Sequence, residues 1–89
     1  MDILYGKRFS KDIDAILHEK KVKQRLMEII ENIKEADTLA GMMGVRKIEG
    51  YQDYFRIKIG NYRLGIKLTK NRVELIRFLH RKEIYRRFP

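Results

Sequence analysis

The sequence predicts an α+β chain, and three observations carry that prediction. Two stretches of helical period lie in the first half, Gly60-Asn61 sits between two alternating runs in the second, and an apolar run follows it. Together they divide the 89 residues into an N-terminal helical hairpin, a small sheet built around a β-hairpin and a short C-terminal helical turn. One modest core suits this length, so a single domain over residues 1–89 is expected.

"DILY" is apolar enough for a short first strand, and "GKR" breaks it. Ser10 is the expected helix N-cap, with Asp12 and Asp14 early in the helix where they complement its positive end. Phe9, Ile13, Ile16 and Leu17 recur at helical spacing as the buried stripe, and "HEKK" bends the chain. Val22, Leu26, Ile29, Ile30 and Ile33 mark a second amphipathic helix, while Lys20, Lys21, Lys23 and Arg25 belong to a solvated face. "ADTLAGMMG" has no period and reads as a loop, and "VRKIEG" as a weak strand.

The run "YFRIKIGNYRLGIKL", residues 54–68, fixes its own register. A two-residue loop at Gly60-Asn61 sets Ile59 opposite Tyr62, Lys58 opposite Arg63, Ile57 opposite Leu64, Arg56 opposite Gly65 and Phe55 opposite Ile66. One face then collects Phe55, Ile57, Ile59, Tyr62, Leu64 and Ile66, and the other Tyr54, Arg56, Lys58, Arg63 and Lys67. "TKNR" turns the chain into "VELIRFLH", whose apolar residues at both parities suit a central strand covered on both faces. "RKEIYRRFP" has room for one or two helical turns before Pro89.

Charge is distributed unevenly. Residues 1–44 hold eight Lys/Arg and eight Asp/Glu, whereas residues 45–89 hold thirteen and four, so the second half carries the whole net charge of +9. Such one-sidedness points to an anionic partner, nucleic acid or an acidic protein. The absence of cysteine removes disulfides, thiolate metal sites and thiol nucleophiles. No apolar run approaches the roughly 20 residues of a membrane span, and no secretory pattern opens the chain. A soluble, cytoplasmic protein with no membrane partner is expected.

A basic strand face is often only a solvated one, but two features argue for a site. Lys58 opposite Arg63 sets like charges side by side, which costs stability unless an anion offsets it. Gly65 opposite Arg56 leaves a gap where a ligand or another backbone can come close. Tyr54 or Tyr85 could stack on a base. Four scattered carboxylates in this half do not make a two-metal centre, and His18 and His80 share no ligand spacing, so neither metal nor cofactor is expected. Lys, Arg, His and Tyr alone could cleave a phosphodiester by stabilising phosphorane charge and moving protons. Such a scheme supplies no protein nucleophile or metal hydroxide, so the substrate's own 2′-hydroxyl is the natural attacker, which favours RNA over DNA.

The signatures "RIKIGNYR" and "HRKEIY", in a chain of this length behind a helical hairpin, resemble those of the RelE/ParE superfamily of type II toxin-antitoxin toxins. The resemblance spans nearly the whole chain and implies two N-terminal helices packed on a small, mostly antiparallel twisted sheet, with active residues on its concave face and near the C-terminus. It implies a metal-independent mRNA endonuclease acting in the ribosomal A site, and a small acidic antitoxin encoded beside the toxin. Matching motifs nominate Lys58, Arg63, His80, Arg81 and Tyr85 as catalytic. Lys58 or His80 would take the 2′-hydroxyl proton, Arg63 stabilise the phosphorane, Arg81 bind phosphate or help protonate the leaving oxygen, and Tyr85 position the nucleotide. Arg56, Tyr54, Lys67, Arg86 and Arg87 are candidates for RNA binding. A gyrase-directed toxin of the ParE type and an inactive RNA-binding relative are the alternatives.

Overall fold

The computed structural model describes residues 1–89, in the order β1 (Asp2–Tyr5), α1 (Lys7–Ala15), α2 (Lys20–Glu35), β2 (Val45–Lys47), β3 (Tyr54–Ile59), β4 (Tyr62–Thr69), β5 (Arg72–His80) and α3 (Arg81–Arg87). The strands form one sheet in the order β1-β5-β4-β3-β2, antiparallel except where β1 runs parallel to β5. No helix is long and apolar enough to cross a membrane.

The β3–β4 hairpin has the expected register throughout, from Ile59 against Tyr62 to Phe55 against Ile66. Gly60 takes φ +60 at the first turn position, a conformation that twists the ribbon in the sense its strands require. Ile57, Ile59, Leu64 and Ile66 are buried on one face, where α1 supplies Phe9, Ile16 follows it, and α2 supplies Leu26, Ile30 and Ile33. Each large side chain fully withdrawn from water there contributes about 1.5–3 kcal/mol.

Local signals misplace the first helix. Ser10 is not its N-cap, because the helix starts at Lys7 and Ser10 already lies one turn inside, its hydroxyl donating to the Gly6 carbonyl at 3.2 Å. The start is set from outside the helix: the Gly6 N–H donates to the Leu75 carbonyl of β5 at 2.9 Å, and that approach leaves no room for a Cβ. Asp12 and Asp14 therefore stand beyond the first turn and do not complement the helix dipole. Leu17 is likewise half-exposed, because α1 stops at Ala15 and its period does not reach that far.

Asp12 has a different task. β1 pairs with β5 only as far as Leu75, so the edge of β5 beyond it is unpaired by β1. Asp12 Oδ2 accepts the Phe78 backbone N–H at 2.9 Å and the Arg77 Nε–H at 2.8 Å, while Oδ1 accepts from Arg77 Nη2 at 3.0 Å. Both side chains are only 10% exposed, and this bidentate bond holds Arg77 more firmly protonated than usual despite its burial. On the other side of β5 the pairing slips between Gly65–Arg77 and Ile66–Leu75, leaving Ile76 as the extra residue of a bulge. That slip puts Val73, Leu75 and Phe78 into one core, and explains why β5 shows apolar residues at both parities.

Replacing Asp12 with alanine would leave a nearly buried guanidinium and a strand N–H without partners, so urea unfolding should show a loss of about 3–5 kcal/mol. Asp12→Asn keeps one acceptor and should lose less. A deficit below about 1 kcal/mol for the alanine variant would mean the pair acts as an ordinary surface bridge.

Candidate functional site

On the sheet face away from α1 and α2, alternation brings Arg56 and Lys58 of β3 beside Arg63 of β4. β2 adds a residue that the sequence reading missed. With Val45 paired to Ile57 and packed against the core, Arg46 falls opposite Arg56 on the basic face. The alternation in "VRK" carried this signal, but the pairing partner of so short a strand is not visible in sequence. Arg46, Arg56, Lys58 and Arg63 line a cavity of about 290 Å³ together with Gly44 and Tyr85, and no carboxylate lines it.

The cations are held in different ways. Arg63 Nη1 donates to the carbonyls of Gly60 and Tyr62, both at 2.9 Å, which fixes the guanidinium by one nitrogen and leaves further donors free. Arg56 donates from Nη1 to the Tyr85 hydroxyl, with its guanidinium carbon 4.9 Å from the centre of that ring. Lys58 forms no salt bridge. Two pairs of facing cations without carboxylates make a field that an anion can relieve.

α3 brings Tyr85 to this face. Ile84 and Phe88 are buried, and the Phe88 ring lies where a Cβ on Gly65 would meet three of its atoms at 2.8 Å. The gap at Gly65 is thus filled by the chain's own phenylalanine and does not admit a ligand. Tyr54 is no free platform either, since its ring is bounded by Phe88 at 5.7 Å, Tyr51 at 6.1 Å and the Lys67 ammonium at 5.6 Å.

Of the candidates, Arg56, Lys58, Arg63 and Tyr85 come together in one cavity, and the others lie elsewhere. His80 pairs with Tyr62, whose ring stacks on core Phe78 at 5.2 Å, so the imidazole lies toward the helical side, edge-on to Tyr62 at 5.6 Å. Its Nδ1 accepts the Lys82 N–H at 3.2 Å and caps α3, so a neutral ring carries its proton on Nε2. Tyr62 donates to Glu19, and that bond, aided by burial, raises the phenol above its ordinary value. Arg81 is exposed outside the cavity lining, its backbone N–H bonded to Asn61 in the hairpin turn at 2.8 Å. Lys67 lies beside Tyr54, whereas Arg86 and Arg87 are exposed and share Glu83 at 3.6 and 3.3 Å.

A family model described as ParE toxin of type II toxin-antitoxin system, parDE, matches residues 3–85. Toxin RelE3 of Methanocaldococcus jannaschii is 37% identical over 90 residues, covering 100% of both chains. A chain in the crystal structure of the RelB-RelE antitoxin-toxin complex from Methanococcus jannaschii is similar at TM-score 0.83 and 36% identity, over 97% of this chain and 99% of that one. YafQ from E. coli strain BL21(DE3) shares the fold at TM-score 0.76 and 20% identity, over 94% and 97% of the two chains.

The packing of Phe88 on Gly65 yields a direct test. In Gly65→Ala the new methyl group displaces the ring, at a cost of about 1–3 kcal/mol. The melting temperature should fall and the nuclear Overhauser contacts between Tyr54 and Phe88 should vanish, with far-UV circular dichroism retained. Unchanged stability with those contacts intact would show that α3 is not anchored there.

Proposed function

Because the chain belongs to the RelE/ParE superfamily of type II toxin-antitoxin toxins, we propose that it is a ribosome-dependent mRNA endonuclease that inhibits translation. The observation that carries this reading is the cavity whose lining combines Arg46, Arg56, Lys58 and Arg63 with Tyr85 and excludes carboxylates. Such a lining suits a phosphodiester whose charge grows as it reacts.

In the proposed reaction the ribose 2′-oxygen attacks the adjacent phosphorus and the bond to the 5′-oxygen breaks; the departing 5′-oxygen takes up a proton from water, leaving a 2′,3′-cyclic phosphate and a 5′-hydroxyl. An amine is a better base than a guanidinium, so among the cavity cations Lys58 is assigned the 2′-hydroxyl proton. Arg63, pre-positioned by its two carbonyl contacts, stabilises the phosphorane. Arg46 and Arg56 hold the phosphate, and Tyr85 orients the nucleotide. Arg81, beside the hairpin turn, meets the flanking strand of the substrate. His80 acts through α3, which its Nδ1 caps and which carries Tyr85.

The cytoplasm is the compartment this activity requires. A small acidic antitoxin, encoded nearby, is the proposed resting partner. The +9 charge makes electrostatic docking over the basic face favourable, and the similar toxin of Methanococcus jannaschii forms a complex with RelB. Inhibition of DNA gyrase is the second reading, favoured by the match to a ParE toxin model.

The deciding assay places mRNA on programmed ribosomes in the presence of EDTA. The wild type should release fragments with 2′,3′-cyclic phosphate ends, and Arg63→Ala should be slower by about 10²–10³-fold. Arg81→Ala should lose less, through weaker binding. A folded wild type that leaves the message intact would refute the nuclease reading, and stalled supercoiling in a gyrase assay would then favour the second.

A further inference from the structure

We propose that the cleft between the β2–β3 loop and α3 is a nucleobase slot, in which an unpaired base of the RNA stacks on Tyr51. This rests on the reading of the chain as an RNA endonuclease and adds a binding site beside the reacting phosphate. The cleft has a volume of about 640 Å³, within the range that ligand sites occupy. It adjoins the basic cavity, since Arg46, Arg56 and Tyr85 line both. A nucleotide whose phosphate sits among the cations can therefore extend its neighbour into the cleft.

The two spaces differ chemically in a way that assigns their occupants. The cavity has cations and a phenol, which suits phosphate. The cleft adds the exposed ring of Tyr51, the apolar Ile48 and Phe88 and the carboxylate of Glu49, along with the cations Lys47 and Arg86, so it differs from the cavity by its aromatic and apolar surface and its one carboxylate. A carboxylate repels phosphate but accepts hydrogen bonds from the ring and exocyclic N–H groups of a base. Aromatic surface beside cations is the pattern that binds single-stranded nucleic acid, because every base offers a stacking face.

Tyr51 is also prepared for stacking. It is 52% exposed, yet its ring meets Tyr54 edge-on at 6.1 Å and 77°, and Tyr54 in turn meets Phe88 at 5.7 Å and 67°. The row braces the ring from the sheet side and leaves the rest to solvent, so little conformational freedom remains to be lost on binding. On the opposite wall Tyr85 is 65% exposed.

The test uses the full chain and a fluorescein-labelled hexaribonucleotide bearing 2′-O-methyl groups, which lacks an attacking hydroxyl. Anisotropy at low salt, where backbone charge supplies most of the affinity, compares the wild type with Tyr51→Ala and Tyr51→Phe. Circular dichroism and melting confirm that the variants are folded. Tyr51→Ala should bind about 5- to 100-fold more weakly, as the loss of one stacked base implies, while Tyr51→Phe should bind within about twofold of the wild type, because a phenyl face still stacks. A scan with one abasic residue per oligonucleotide should reveal one position whose loss reproduces the alanine effect in the wild type and adds nothing in the variant. Equal affinity of Tyr51→Ala and wild type, an alanine effect the same for every abasic oligonucleotide, or no binding by the wild type would overturn the slot. Coupling without cleavage on ribosomes would instead refute the nuclease reading and leave the slot standing, and cleavage without coupling would do the reverse.

Discussion

The carboxylate of Asp12 holds β5 at the point where its parallel neighbour ends. By taking the Phe78 N–H and the Arg77 guanidinium together, it completes the edge of β5 that β1 no longer covers. A strand there without a partner would leave a backbone donor unsatisfied in a largely buried position. The same stretch carries the bulge that brings Phe78 into the core beside Val73 and Leu75. Everything downstream depends on this arrangement: β5 delivers His80 to the start of α3, and α3 carries Tyr85 and leads to Phe88 across the opposite face.

That opposite face sets like charges against one another. Arg46 against Arg56 and Lys58 against Arg63 are repulsive pairs that a purely structural sheet would avoid. The fold softens the repulsion locally, with carbonyls on Arg63 and a tyrosine on Arg56, and leaves the rest of the field directed into the cavity. The one acidic side chain of the C-terminal segment is engaged elsewhere, Glu83 pairing with Arg86 and Arg87. Membership of a toxin-antitoxin family gives the chain an antitoxin partner, and the one-sided charge suits an anionic surface.

Anchoring of the C-terminal segment joins stability to the site. Phe88 lies on Gly65 as a knob in a hole, so the residue that breaks the side-chain layer is also the one that receives the chain's end. Tyr54, expected as a surface for bases, is consumed in this packing. Tyr51, unremarked in the sequence because it sits in an irregular segment, inherits the exposed position at the end of the aromatic row.

The sequence by itself determined what depends on local period and turn chemistry. The hairpin register, the separation of its apolar and basic faces, the core stripe of α2 and the C-terminal helical turns follow from alternation, a Gly-Asn turn and helical spacing, each acting over a few residues. Tertiary structure decided what depends on partners distant in the chain. Gly6 against Leu75 moved the start of α1, Asp12 became an edge clamp, and β2 brought Arg46 into the cavity. The parity change in β5 directed His80 away from Lys58 and Arg63 although all three stand near one hairpin end. In each case the side chain's environment is set by a strand or helix many residues away, and no local pattern encodes which neighbour that will be.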